Sequence, residues 1–255
     1  VDKVTVIDAG HGGRDPGAVD GIQPAEGDTI YTEEDNLNLD VALQTAKYLA
    51  PISQVILTRT EDVNVMEDPD EDLYERPRIS TRAGAHAFVS IHQNAATNPA
   101  GHGLEVYHYP GSTEGKRLAE AVYNRLLAAT GLYGRGIKEA YFAVIGRLNS
   151  APAILVEGGF ITNPEEERIL NSPEHKQKAA WAIAQGVADF LGATLPDPAA
   201  QDPNAITVEI GDLRLPGKII DGAAYGPIRK MFEAAGLGVQ WVEATRTVKI
   251  DLGGL

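Results

Sequence analysis

Three apolar runs in this chain each end on a residue able to bind a metal or carry a proton. Val4-Thr5-Val6-Ile7 leads through Asp8-Ala9-Gly10 to His11, with Gly12 and Gly13 behind it. Phe88-Val89-Ser90-Ile91 delivers His92. Ile154-Leu155-Val156 delivers Glu157, followed by Gly158 and Gly159. The runs before His92 and Glu157 are continuously apolar, which suits central strands covered on both faces. In open α/β sheets, ligands bind at the edge where the strands have their C-terminal ends. The pattern predicts a layered fold that gathers polar groups along one such edge.

Around these runs, strand-like and helix-like segments alternate, as in an α/β domain. Strands are expected over 4–7, 55–58, 88–91, 104–107 and 153–156. Leu39, Ala42, Leu43, Ala46 and Leu49 recur at helical spacing, and the Ala, Gln and Lys content of that segment favours helix over strand. Leu118, Val122, Leu126 and Ala129 form a second stripe. Ala180, Ile183, Ala184, Val187, Phe190 and Leu191 form a third. Asn163-Pro164-Glu165-Glu166 reads as a helix start, with a capping side chain, a proline at the first position and acids facing the positive end of the dipole. The expected fold is a twisted, mostly parallel sheet with helices on both faces, over residues 1–193. A linker containing three prolines spans 194–205, and a small α+β module fills 206–255. In that module a strand is expected at 206–210, a turn at Asp221-Gly222, a helix over 227–235, and a hairpin from 239–242 and 247–250.

Composition narrows the function. The formal net charge of -14 repels polyphosphates, so no nucleic-acid partner is expected, and anionic membranes are disfavoured for the same reason. No apolar run approaches the roughly 18 residues of a membrane span, so no membrane insertion is expected. The chain opens directly on its first strand, which leaves its compartment undecided. With no cysteine, thiolate metal sites and a Cys nucleophile are excluded, and any metal must be held by imidazole and carboxylate.

His11 and His92 are the leading metal-ligand candidates, and the glycines around His11 allow close approach to the backbone. A third ligand is sought in Glu33-Glu34-Asp35, ahead of the first helix. Spacing alone does not choose among the three, and a helix dipole accounts for at least one of them. Glu157 is costly to bury unless paired or metal-bound, and it is the candidate acid or base. Two glycine-rich readings fall away: Gly10-His11-Gly12-Gly13-Arg14-Asp15-Pro16-Gly17 has neither P-loop chemistry nor dinucleotide spacing.

With these residues in hand, the chain resembles the zinc-dependent N-acetylmuramoyl-L-alanine amidases of type 3 over roughly residues 3–192. The motifs are Ile7-Asp8-Ala9-Gly10-His11-Gly12-Gly13, Glu34 ahead of Leu39-Asp40-Val41-Ala42, Phe88-Val89-Ser90-Ile91-His92-Gln93-Asn94-Ala95, Arg135-Gly136-Ile137-Lys138, and Leu155-Val156-Glu157-Gly158-Gly159-Phe160-Ile161-Thr162-Asn163-Pro164. The resemblance implies one zinc ion on His11, Glu34 and His92, with Glu157 as the catalytic carboxylate. It implies hydrolysis, by zinc-activated water, of the amide joining N-acetylmuramic acid to the L-alanine of the stem peptide. The family commonly has a basic residue after this Glu, whereas here it is Asp35, so Glu33 stays an alternative ligand.

Asn94, Arg135 and Lys138 are expected to bind substrate, the two cations holding a stem-peptide carboxylate from a Gly-flanked loop. His102 and His108 are not assigned to the metal, and Arg76 and Arg78 are expected to begin a helix and pair with carboxylates. Only a short turn, Tyr109-Pro110-Gly111-Ser112, stands where some relatives carry a plugging helix, so no obligatory activator is expected. The implied partner is peptidoglycan, which places the protein outside the cytoplasm as an autolysin or as a phage-delivered endolysin. Residues near 206–252 resemble the small domain named after the N-terminal region of copper amine oxidases, on Asp221-Gly222-Ala223-Ala224-Tyr225-Gly226-Pro227-Ile228-Arg229 and Ala235-Gly236-Leu237-Gly238-Val239-Gln240-Trp241. With no His or Cys there, no copper site is expected, and the module serves either wall targeting or spacing. The alternatives for the whole are a zinc carboxypeptidase acting on wall peptides and a non-catalytic wall-binding protein.

Overall fold

The computed structural model describes residues 2–19, 31–197, 205–210, 213–218, 238–242 and 247–251. The chain divides into two units, Val1–Leu195 and Pro196–Leu255. The first contains β1 (Val4–Ala9), α1 (Glu34–Leu49), β2 (Gln54–Leu57), α2 (Pro69–Arg82), β3 (Ala87–Asn94), β4 (Leu104–His108), α3 (Thr113–Thr130), β5 (Gly134–Glu139), a 3₁₀ turn at Ala143–Ile145, β6 (Ala153–Phe160), α4 (Pro164–Asn171) and α5 (Pro173–Leu191). The sheet runs β2-β1-β3-β6-β4-β5. Its neighbours are parallel except at the β6–β4 junction, where β4 reverses.

Alternation along the central strands explains the two covers. Ile7, Ala9, Val89, Ile91, Ile154 and Val156 point into the core shared with α1, α3 and α5. Val6, Phe88, Ala153 and Leu155 point the other way, into a smaller core with the 3₁₀ turn and α2 residue Ile79. Successive strand residues face opposite sides, so a run buried on both faces must be apolar throughout. The same parity carries Asp8, Ser90, His92 and Glu157 onto the α2 side.

Local chemistry sets the helix ends. Asn163 accepts from the N–H groups of Glu165 and Glu166 ahead of α4, as expected from its sequence. Asp68 does the same for Asp70 and Glu71 before Pro69 opens α2. Gly131 and Gly192 take left-handed conformations that end α3 and α5. The five expected strands are all present. Two expectations need correction. Arg135 and Lys138 lie on an edge strand, β5, and not in a loop; Gly134, Gly136 and the charges hide the alternation there. Arg76 and Arg78 sit in the second half of α2, because its cap lies eight residues before Arg76, at Asp68.

In the second unit, β7 (Ala205–Ile210), β8 (Leu213–Lys218), β9 (Gly238–Val242) and β10 (Thr247–Asp251) form a sheet ordered β8-β7-β10-β9. The expected hairpin is β9–β10, antiparallel, and β7 pairs with β10 in parallel. Residues 198–204 of the linker, the Asp221-Gly222 turn and the helix expected over 227–235 lie outside the described residues.

Among the described helices, α3 and α5 share the most extensive contact. A Cβ built on Gly186 would stand 2.5 Å from Cα of Val122 and 2.8 Å from its nitrogen. Alanine gains about 1 kcal/mol of helix propensity over glycine, but overpacking against backbone costs about 1–3 kcal/mol. Gly186→Ala is therefore expected to lower the urea midpoint, and an unchanged or higher midpoint would refute the close approach.

Candidate metal centre

The strand tips converge from three separate stretches of chain. Gly10 donates to Ile91 O at 3.0 Å, which binds the end of β1 to β3 and brings His11 beside His92. The two rings stand edge to face with centroids 4.9 Å apart. Space forbids a side chain at two neighbouring positions. A Cβ on Gly10 would lie 2.2 Å from His92 Nε2, and one on Gly17 would lie 2.6 Å from Glu34 Oε2. His11 has φ of 60°, the one positive value on a non-glycine residue among the described residues. Such backbone costs on the order of 1–3 kcal/mol and persists only where its surroundings impose it.

Glu34 enters from the first turn of α1, where the dipole favours an anion. Its Oε1 lies 2.9 Å from His92 Nδ1 and accepts from the N–H of Gln93 at 3.1 Å and from Asn38 Nδ2 at 3.2 Å. Its Oε2 lies 3.3 Å from His11 Nε2 and accepts from the N–H of Ala18 at 2.9 Å. Burial disfavours its charge, yet the two imidazoles outweigh that and hold the carboxyl well below the ordinary range. Burial likewise opposes the His11 cation, but Glu34 and Asp15 push its pKa up to about 9. Asp15 Oδ2 sits 2.7 Å behind His11 Nδ1, an arrangement that fixes the ring and leaves Nε2 for a cation.

The neighbouring acids point elsewhere. Glu33 accepts from Asn36 Nδ2 and the Tyr31 hydroxyl. Burial, and then Asp62, push the Asp35 carboxyl up to about 6. One ligand atom each from His11, Glu34 and His92 fall within 4.8 Å of one another. Two imidazole nitrogens and a carboxylate oxygen suit zinc, and as three protein ligands they leave a position for substrate or water. A cleft of about 460 Å³ opens here, bordered by His11 and His92, by Leu73 of α2, by Phe142 and Val144 near the 3₁₀ turn, and by Glu157.

Glu157 lies directly across from His92 in the β3–β6 register. One of its oxygens, Oε2, is buried with no hydrogen-bond partner. Burial raises its pKa well above the usual carboxylate range, and the Glu34 and Glu105 charges add to the effect. A cation beside Glu34 would offset the repulsion between the Glu34 and Glu157 charges. The donor set and this uncompensated acid thus fit a divalent metal.

A profile of the N-acetylmuramoyl-L-alanine amidase family matches residues 5–189. The chain belongs to this family. It is 34% identical over 193 residues to the N-acetylmuramoyl-L-alanine amidase LytC of Bacillus subtilis, an alignment spanning 74% of this chain and 36% of that protein; the chain therefore spans about a third of that relative's length. Its fold is similar to the crystal structure of N-acetylmuramoyl-L-alanine amidase from Clostridium difficile 630, with 32% identity, a TM-score of 0.67, and 75% of this chain and 98% of the other covered. The CwlD amidase from Clostridioides difficile, solved in complex with the GerS lipoprotein, matches with 28% identity and a TM-score of 0.68 over 75% of this chain and 99% of that one. The family match ends before the second unit.

Within this amidase fold, the remaining candidates gather around Glu105 of β4, the strand next to β6. Asn94, Arg135 and Lys138 do not border it. All three bind Glu105: Asn94 Nδ2 donates at 2.9 Å, Arg135 Nε donates at 2.7 Å, and Lys138 Nζ donates. The Tyr107 hydroxyl donates to it as well, at 2.7 Å. Glu105 is buried and stands opposite Glu157 in the β6–β4 register. The sequence reading missed it, although its place between Leu104 and Val106 puts it on the face opposite their core. His102 and His108 are not part of the ligand group; each faces a backbone carbonyl.

The sign of the His11 shift yields a measurable slope in the metal-free form. An unfolded imidazole releases its proton near 6.5, and the folded one near 9, so the folded state binds more protons between those values. The stabilisation is complete below pH 6.5 and lost as pH rises through about 9. Chelated protein should lose up to roughly 3 kcal/mol over that window, and His11→Gln should flatten the slope in denaturant titrations. An equal slope in both proteins would refute the pairing.

Proposed function

We propose that the first unit hydrolyses the amide between the lactyl group of N-acetylmuramic acid and the L-alanine of the peptidoglycan stem peptide, with one zinc ion held by His11, Glu34 and His92. The observation that carries this is the meeting of those three donors beside the partnerless carboxyl of Glu157. Zinc in that place supplies a Lewis acid that polarises a carbonyl and lowers the pKa of water to about 7. Glu157 takes the proton of the attacking water and passes it to the departing L-alanine nitrogen, a task suited to a buried carboxyl whose pKa is raised above the usual carboxylate range. Asp15 keeps the His11 ring oriented throughout. The substrate enters the cleft between α2 and the 3₁₀ turn.

CwlD is seen with a lipoprotein partner; this chain is proposed to act without one, because Tyr109 to Ser112 is a short turn and the cleft is accessible. Its place of action is extracytoplasmic, as an autolysin or a phage-delivered lysin. No helix among the described residues is long and apolar enough to cross a membrane.

The deciding experiment digests purified peptidoglycan with the isolated chain, with zinc and after chelation, and analyses the products by mass spectrometry. Stem peptides with a new L-alanine amine are expected with zinc alone. Glu157→Gln should lower kcat by about 10²- to 10⁴-fold while the protein still retains zinc. Release of a terminal amino acid would identify a carboxypeptidase instead, and wall binding without cleavage would identify a binding protein.

Stem-peptide recognition is assigned to the flank of Asn94, Arg135 and Lys138. There two cations meet one Glu105, leaving a net positive charge for a peptide carboxylate. Lys138→Met should raise KM for stem-peptide substrates several-fold, within the roughly 10-fold per 1.4 kcal/mol expected of one charged contact, and leave kcat nearly unchanged. An unaltered KM would remove Lys138 from substrate binding.

A further inference from the structure

We propose that Arg59 and Arg76 are positioning residues for the metal centre, holding the backbone carbonyls of the His11 turn so that its imidazole meets Glu34 and His92. The inference rests on the zinc assignment above and adds two residues that lie outside its ligand set.

Three successive carbonyls leave the end of β1 and all turn toward buried guanidinium groups. Ala9 O accepts from Arg59 Nε at 2.9 Å and from Arg76 Nη1 at 2.8 Å. Gly10 O accepts from Arg59 Nη2 at 3.1 Å. His11 O accepts from Arg76 Nη2 at 2.9 Å. The last of these is the carbonyl of the residue with left-handed φ, so Arg76 binds the strained peptide itself. Arg59 reaches further: its Nη2 also donates to Asp35 O at 2.7 Å, the residue after Glu34. One planar group therefore spans the turn that carries His11 and the helix start that carries Glu34.

Both arginines are buried, 4% exposed each, and their guanidinium groups face backbone carbonyls and carboxylates of the chain itself. Arg76 donates to Asp72 with Nε, to Asp8 and Ala9 O with Nη1, and to His11 O with Nη2, whose charge also pairs with Asp72 at 2.8 Å. Asp8 is held in turn by Ser90 Oγ and Thr58 Oγ1, each at 2.6 Å, so the chain of contacts runs on into β3, whose end bears His92. Arg59 spends its donors on carbonyls, Glu61 O being the fourth at 3.1 Å. A neutral filler would leave these oxygens unpaired, and a lysine keeps the charge but not the fork. That difference separates positioning from simple charge burial.

The test uses the full chain, stripped of metal and titrated with Zn²⁺ against a chromophoric chelator, beside thermal melts of the metal-free form. Arg59→Lys and Arg76→Lys are each expected to weaken zinc binding by about 10- to 100-fold, the loss usual for groups that orient metal ligands, while the metal-free melts stay cooperative. Zinc affinity within twofold of wild type in folded variants overturns the proposal, whatever happens to the melting temperature. Should Arg76→Lys fail to fold, Asp72→Asn loosens the same guanidinium while sparing its charge. It is expected to weaken zinc at least about threefold, and unchanged affinity there counts equally against the proposal. Wild-type protein that binds no zinc would instead bring down the metal assignment itself, which keeps the two failures apart.

Discussion

Glu34 is a carboxylate buried at the first turn of a helix, with both oxygens committed. One oxygen faces His92, the Gln93 N–H and Asn38; the other faces His11 and the Ala18 N–H. An anion in that position is tolerable only with this many donors around it. The requirement ties together α1, the tips of β1 and β3, and the loop at residues 16–18. Much of the surrounding sequence can be understood as meeting it: glycine at 10 and 17 because no Cβ fits, a helix dipole aimed at the charge, and a left-handed backbone at His11.

Charge is layered outward from that point. Beneath the turn, two arginines meet carbonyls and the carboxylates of Asp8 and Asp72. Beside it, Glu157 is left without compensation on one oxygen, between Glu34 and Glu105. Beyond, Glu105 is neutralised by Arg135 and Lys138. Asp8, Asp72, Glu34 and Glu105 are each met by donors or cations, whereas Glu157 keeps a buried oxygen with no hydrogen-bond partner.

Strand parity explains which side of the sheet became functional. His92 and Glu157 share a face with Asp8 and Ser90, and that face carries the lighter cover of α2 and the 3₁₀ turn. The opposite face is packed by three long helices, α1, α3 and α5. Much of this was legible beforehand. Apolar runs ending in His11, His92 and Glu157 mark strand tips directly, since a buried strand must be apolar and its polar terminus must lie at an edge. β5 was not legible, because an edge strand carrying Gly134, Gly136 and charged residues loses the alternation that reveals a strand.

The sequence by itself determined the five central and flanking strands expected of the first unit, the cap of α4, the family resemblance and the two imidazoles, all of which depend on local pattern or on motifs in order. Only the tertiary structure showed which of Glu33, Glu34 and Asp35 lies between the two imidazoles. Three adjacent acids have the same composition and the same helix dipole, and they differ only in the direction each side chain leaves the first turn. The fold likewise decided that Asn94, Arg135 and Lys138 meet at Glu105, and that Arg59 and Arg76 reach the His11 turn. Those contacts join residues about 10 to 70 positions apart, and side-chain direction across such separations is set by packing, which no local spacing encodes.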